Sequence, residues 1–252
     1  MGTNKNEIIN SFNNLLKQEK SFQTLYKNKC LNQKTYTEDY SDCLLKKGIK
    51  AFLNQIEPNE KRKDSYKVNH DGITEEGKIS QKNFRWEERE CIAFYNYYSS
   101  KKKGIRIIDY QMPLRNTKND KEHGVDLVAS DGENLIILEY KRYKSKETLL
   151  RSALEIYTYK KLLQKGKSYL LENYKVPNGK LIAGIFFLEN SNQHKSFQEM
   201  NKDNSTIKLI KELGIKFYLG KTSEKFDEDT NLKKSLASKR PKINCQLEIM
   251  EL

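Results

Sequence analysis

Residues 123–142, His-Gly-Val-Asp-Leu-Val-Ala-Ser-Asp-Gly-Glu-Asn-Leu-Ile-Ile-Leu-Glu-Tyr-Lys-Arg, constrain this chain more than any other stretch. Asp131-Gly132 between two apolar runs is a strong hairpin signal, because a tight turn needs residues that tolerate positive φ. The first strand carries Asp126 among Val125, Leu127 and Val128; the second ends in Glu139 and Lys141 after Leu135, Ile136, Ile137 and Leu138. Strand side chains alternate, so Leu135, Ile137, Glu139 and Lys141 share a face. A turn centred on Asp131-Gly132 sets Asp126 across from Ile137, with Glu139 as its diagonal neighbour, roughly 7 Å away. Two carboxylates and a lysine at the end of an apolar strand pair are costly to bury, and the cost points to chemistry.

The elements around the hairpin follow from periodicity. Residues 84–100 read as a helix with two candidate inward stripes, one through Glu90, Ala93, Phe94 and Tyr97, the other through Glu87, Cys91, Phe94 and Tyr98. Lys101 to Gly104 ends it, and residues 105–110 make a strand. After the hairpin come an amphipathic helix over 148–164 and the continuous apolar run 181–188, which suits a strand buried on both faces. A helix over 205–213 and a strand over 215–219 complete the series. The expectation is an α/β restriction-endonuclease-like core, a mixed central sheet flanked by helices in αβββαβ order, over residues 84–220. An N-terminal helical region and linker precede it (1–83), and a tail follows (221–252) in which 243–250 resembles a strand. The first third has helical spacing at Ile8, Phe12, Leu15, Leu16, then Phe22, Leu25, Tyr26, and a third segment over 40–56 closed by Pro58.

Composition narrows the partners. The net charge of +13 favours a polyanion, although a lysine-rich composition alone gives the same number. Four scattered cysteines and three histidines argue against a structural zinc site or disulfide framework. No apolar run approaches the ~20 residues that span a bilayer, so no membrane partner is expected. Residues 1–20 lack the apolar core of a signal peptide, and the expected location is cytoplasmic.

Hydrolysis of a phosphodiester without a covalent intermediate needs a divalent cation, an activated water and stabilisation of the leaving oxygen. Magnesium prefers carboxylate oxygens and keeps several waters, so two or three acidic ligands suffice, and manganese can substitute. Asp126 and Glu139 fit as ligands with the Tyr140 backbone carbonyl beside them. Lys141 fits as the group that orients or deprotonates water. Arg142, Lys144 and Lys146 add positive charge for a phosphate backbone, or are a solvated loop. His123 precedes the strand, either touching substrate or serving as an ordinary loop histidine. Trp86 and the tyrosines that follow suit base stacking or simply the core.

With Asp126 on one strand and Glu139-Tyr140-Lys141 on the next, the chain resembles the PD-(D/E)xK nuclease superfamily of restriction and repair nucleases. Val125 stands in place of the proline of the family name. The resemblance implies a magnesium-dependent deoxyribonuclease for restriction, defence or DNA processing, with double-stranded DNA the favoured substrate. An RNA nuclease or a non-catalytic nucleic-acid-binding module of the same fold are the alternatives, and double-strand cutting makes a homodimer a reasonable expectation. Many members add a helix Glu as a metal ligand; Glu90 is the favoured match, with Glu87 second. Some also carry a Gln and a Tyr on the helix after the motif, where Tyr157 corresponds and Glu155 or Glu147 replaces the amide.

Overall fold

The apolar run Leu181–Leu188 is a strand over its full length and lies inside a mixed sheet, as a run without polar alternation requires. The computed structural model describes residues 5–18, 22–49, 55–68, 70–73, 86–101, 103–114, 124–222, 230–243 and 245–252. Within them the sheet runs in the order β1 (Arg106–Met112), β2 (Val125–Ser130), β3 (Leu135–Lys141), β4 (Leu181–Leu188), β5 (Ile215–Thr222), β6 (Leu247–Glu251). The pairs β1–β2 and β2–β3 are antiparallel, β3–β4 and β4–β5 parallel, and β5–β6 antiparallel.

Helices cover both faces of the sheet. On one face α1 (Lys5–Gln18), α2 (Thr37–Lys46), α4 (Leu149–Leu162), α5 (Lys167–Asn173) and α7 (Ser205–Glu212) share a core with Leu135, Ile137, Ala183, Ile185 and Phe187. On the other, α3 (Trp86–Tyr98) and α8 (Thr230–Ala237) pack with Ile136, Leu138, Tyr140, Phe186 and Tyr218. The chain is therefore α/β with a mixed, helix-flanked sheet, and from Trp86 to Leu188 the order is one helix, three strands, two helices and a strand. Among the described residues no helix is long and apolar enough to cross a membrane.

Several elements differ from the sequence expectation. Helices α5 and α6 (Asn192–Glu199) occupy stretches to which the sequence reading assigns no element. The first has only seven residues; the second is mostly polar and is set by its Ser191 cap, which accepts the His194 N–H at 3.1 Å. Between α1 and α2 the chain runs through short 3₁₀ turns, including Phe22–Lys27, where a second α-helix is expected. Phe12, Leu25, Tyr40 and Leu44 join the same core as the sheet, so the N-terminal third is part of the scaffold. The end of the chain supplies β6, an outer strand of the sheet.

Candidate active site

Strand β3 is buried along its whole length. Leu135 and Ile137 point into the core beneath α4, and Glu139 and Lys141 continue that face to where the apolar cover gives way to a cleft of about 650 Å³. Both residues are only 4% exposed. The hairpin closes through a four-residue loop, because Ser130 pairs with Leu135 and Leu127 with Leu138. This corrects the expected register. Carried one step past the Leu127–Leu138 pair, the same register brings Asp126 level with Glu139, not diagonal to it, and both carboxylates line the cleft.

Asp126 is held from two sides. Its Oδ2 accepts the Tyr140 N–H at 3.0 Å, and its Oδ1 accepts from Gln111 Nε2 at 3.3 Å. Gln111 has φ +47°, a left-handed conformation that costs a non-glycine residue on the order of 1 kcal/mol. It lies on β1 beyond the irregular register between Ile107 and Asp109. Nothing in the sequence marked this residue.

Lys141 is the cation at the centre. Its Nζ lies 2.6 Å from Glu139 Oε1, 2.6 Å from Glu147 Oε2 and 4.0 Å from Glu155 Oε2. Glu147 also meets Arg151 Nη1 at 3.2 Å, and Glu155 accepts the Tyr159 hydroxyl at 2.8 Å. Thr148 starts α4 by accepting the Arg151 N–H, so the turn that presents Glu147 is fixed by a helix cap. Burial works to lower the Lys141 pKa, but Glu139, Glu155 and Glu147 outweigh it and hold the ammonium well above the ordinary lysine value. Burial pushes the Asp126 carboxyl up to about 7, with the charge of Glu87 next in effect. Burial, then Asp126, pushes Glu139 well above the usual carboxylate range. Glu87 is raised by burial against the opposing pull of Lys141.

The helix residue facing this cluster is Glu87, which lines the cleft on the first turn of α3; the favoured Glu90 does not. The reason is Tyr140. It points to the opposite sheet face from Glu139 and Lys141, fills the space under α3, and its hydroxyl donates to Glu90 Oε2 at 2.9 Å. Arg142 Nε also donates to Glu90, at 3.2 and 3.3 Å, and the Arg142 guanidinium lies 5.7 Å from the Trp86 ring centre. Glu90 therefore braces Arg142 and stays off the cleft. Comparison with protein-family models, with curated proteins and with solved structures returned no match.

The other expected residues divide. Arg142 lines the cleft; Lys144 and Lys146 are exposed on the loop after β3 and do not. His123 lies outside the described residues. Tyr157 packs into the core below α4, and Tyr159, two residues on, is the tyrosine that reaches the cleft. Tyr26 and Lys27, from the N-terminal third, close one wall. The Glu155-to-Tyr159 spacing of four on one helix was the available signal for that pair. Tyr26 and Lys27 had none, because their placement depends on a long-range packing contact of the 3₁₀ turn Phe22–Lys27 with α4. Among the described residues no group of three or more acidic, histidine or cysteine side chains is placed so that it could hold a metal ion.

Proposed function

We propose that this chain is a divalent-metal-dependent nuclease of the PD-(D/E)xK type, hydrolysing phosphodiester bonds of DNA on a restriction-endonuclease-like fold. The observation that carries the reading is the convergence of Asp126, Glu139, Lys141 and Glu87 in one cleft. Among the described residues the cleft is lined by six carboxyl groups (Glu87, Glu88, Asp126, Glu139, Glu147, Glu155) and four basic side chains (Lys27, Lys141, Arg142, Arg151), a surplus of two negative charges when every acid is ionised, in a chain of net charge +13. One divalent cation would cancel that surplus.

The donor set fits magnesium or manganese, since every acidic group is a hard oxygen ligand and, among the described residues, neither histidine nor cysteine lines the cleft. Asp126 and Glu139 would hold the ion, with Glu87 and the Tyr140 carbonyl as the further oxygens nearby. When bound, it supplies Lewis acidity and a water of lowered pKa. Burial first, and then neighbouring carboxylates, raise the Asp126 and Glu139 carboxyls, and a bound cation would oppose both effects.

The chain's own residues account for the rest. Glu147 and Glu155 grip Lys141 from the α4 side, so the ammonium keeps a partner if Glu139 turns to a metal. From there Lys141 orients a water or a phosphate oxygen and remains protonated. Arg142 and Arg151 stand on the walls, where they can meet the charge that develops on the phosphate. The test is cleavage of DNA in magnesium and in EDTA by the wild-type protein and by Lys141→Met. Cutting by the wild type in magnesium alone, lost in a Lys141→Met protein that is still folded at the assay temperature, is the expected result. A Lys141→Met protein that cuts at the wild-type rate overturns the mechanism.

A further inference from the structure

We infer that the cleft admits an unpaired nucleotide of a single strand and excludes intact duplex. The inference rests on the phosphodiesterase reading of the same cleft and names its substrate class, where the sequence alone favoured double-stranded DNA. The cleft is deep at Glu139 and Lys141. Glu139 and Lys141 are 4% exposed and lie at the floor of a cleft of about 650 Å³. That is within the roughly 300–1,000 Å³ of pockets for small ligands. Three separate elements form its walls: the first turn of α3 with Trp86 and Glu87, the 3₁₀ turn Phe22–Lys27, and α4 with Arg151. A phosphate in a duplex is fixed on the outside of a rod whose major groove alone is about 12 Å wide. It reaches such a floor only if its nucleotide leaves the stack, as for enzymes that extrude a base. An unpaired strand avoids that cost.

The walls of the cleft carry aromatic rings and cations. Trp86 is half-buried at the cleft edge with the Arg142 guanidinium over its ring, and Glu90 holds Arg142 in that place. A flat indole braced by a guanidinium is a stacking platform, and every base offers it a π-face. Lys27, exposed on the facing wall with its ammonium 5.7 Å from the Tyr26 ring centre, and Arg151 add the positive charge that tracks a backbone. Aromatic platform and flanking cations together are the pattern of single-strand binding, not of groove reading.

Trp86 is the only tryptophan of the chain, so its emission reports on the cleft directly. The experiment titrates the full-length protein both in EDTA, where cleavage is off, and in calcium, a hard cation that the cleft carboxylates can take in place of magnesium. The probes are a short unpaired DNA oligonucleotide, the same sequence as RNA, a nucleoside monophosphate and a hairpin-capped duplex. Quenching by an unpaired strand at a concentration at least about ten-fold below that of the capped duplex is expected, in keeping with the energy of base–aromatic stacking. The DNA and RNA arms tell which sugar is accepted, and either one supports the inference. Equal or stronger quenching by the capped duplex overturns it, and so does an unpaired strand that leaves the emission unchanged. A monophosphate that binds as tightly as the oligonucleotide makes the occupant a free nucleotide and overturns it too. Lys27→Glu, at an exposed position, is expected to weaken single-strand binding about ten-fold by anisotropy with an unchanged melting temperature; unchanged affinity counts against the wall assignment. Cleavage of capped duplex in magnesium without single-strand quenching overturns this inference and spares the nuclease reading. Quenching without cleavage under any metal does the reverse.

Discussion

Lys141 Nζ stands 2.6 Å from Glu139 Oε1, two positions back on the same strand, and only 5% of either side chain is exposed. An ion pair in that position is a liability if it loses a member, because the survivor stays buried with its charge. Lys141→Met keeps the length of the side chain and removes the ammonium, leaving Glu139 and Glu155 without their cation. Removing one partner of a buried pair costs about 3–5 kcal/mol. Glu147, 27% exposed, is partly screened by water, so the expected loss is near the lower end, about 3 kcal/mol. Urea unfolding of the metal-free protein measures it. A variant as stable as the wild type would mean that Lys141 is not the counter-ion of the cluster.

The pH dependence of stability has a definite sign. Asp126 moves from 3.8 to about 7 on folding, and Glu139 moves in the same direction. A group whose folded pKa is raised contributes stability that is complete below its unfolded value and is lost as pH rises through the folded one. The metal-free protein should therefore lose stability between about pH 4 and pH 7, and Asp126→Asn should reduce that slope. The amide oxygen of the introduced asparagine can still accept the Tyr140 N–H, and the Gln111 amide can turn to accept from its nitrogen. Melting temperatures of the two proteins across this range decide the matter; parallel curves contradict the assignment.

Glu87 and Glu90, one helical turn apart, should separate cleanly. Glu87→Gln is expected to weaken divalent-cation binding roughly ten-fold with little change in stability, since its carboxylate faces the cleft. Glu90→Gln should cost about 2 kcal/mol, because it disturbs two charge-assisted contacts at a buried site, to Tyr140 and Arg142, and should leave cation binding nearly intact. Calorimetry and urea unfolding on both variants test the pair together. The opposite pattern would return the metal role to Glu90.

Gly124 ties the fold to the site. A Cβ there would lie 2.6 Å from the Met112 carbonyl oxygen, a backbone atom that cannot swing away. Gly124→Ala must shift the start of β2, two residues before Asp126, and is expected to cost about 1–3 kcal/mol by overpacking. Cation binding should weaken alongside. Full stability and full binding in this variant would show that the β1–β2 pairing tolerates the shift.

Much of this arrangement was legible in residue order. The alternation along Leu135, Ile137, Glu139 and Lys141 gives one face directly, and the run Leu181–Leu188 gives the interior strand beside it. What failed was of two kinds. The first was register: four residues close the hairpin, since Asp131 Oδ1 accepts the N–H groups of Glu133 and Asn134, and a turn read as two residues slides Asp126 off Glu139. The second was assignment across space. Glu87 and Glu90 lie close on one helix, and the choice between them is made by Tyr140, which belongs to another element. Gln111, Glu147, Tyr26 and Lys27 reach the cleft through a register irregularity, a cap and a 3₁₀ turn, none of which has a periodicity to read.

The proposed nuclease chemistry requires that the carboxylates around Asp126 and Glu139 take up one divalent cation. Titration of manganese or magnesium into the full-length protein by calorimetry, beside Asp126→Asn, tests it most directly. Binding of one ion per chain in the wild type, weakened at least about ten-fold in Asp126→Asn, is the predicted result. No binding, or binding that Asp126→Asn leaves unchanged, contradicts it.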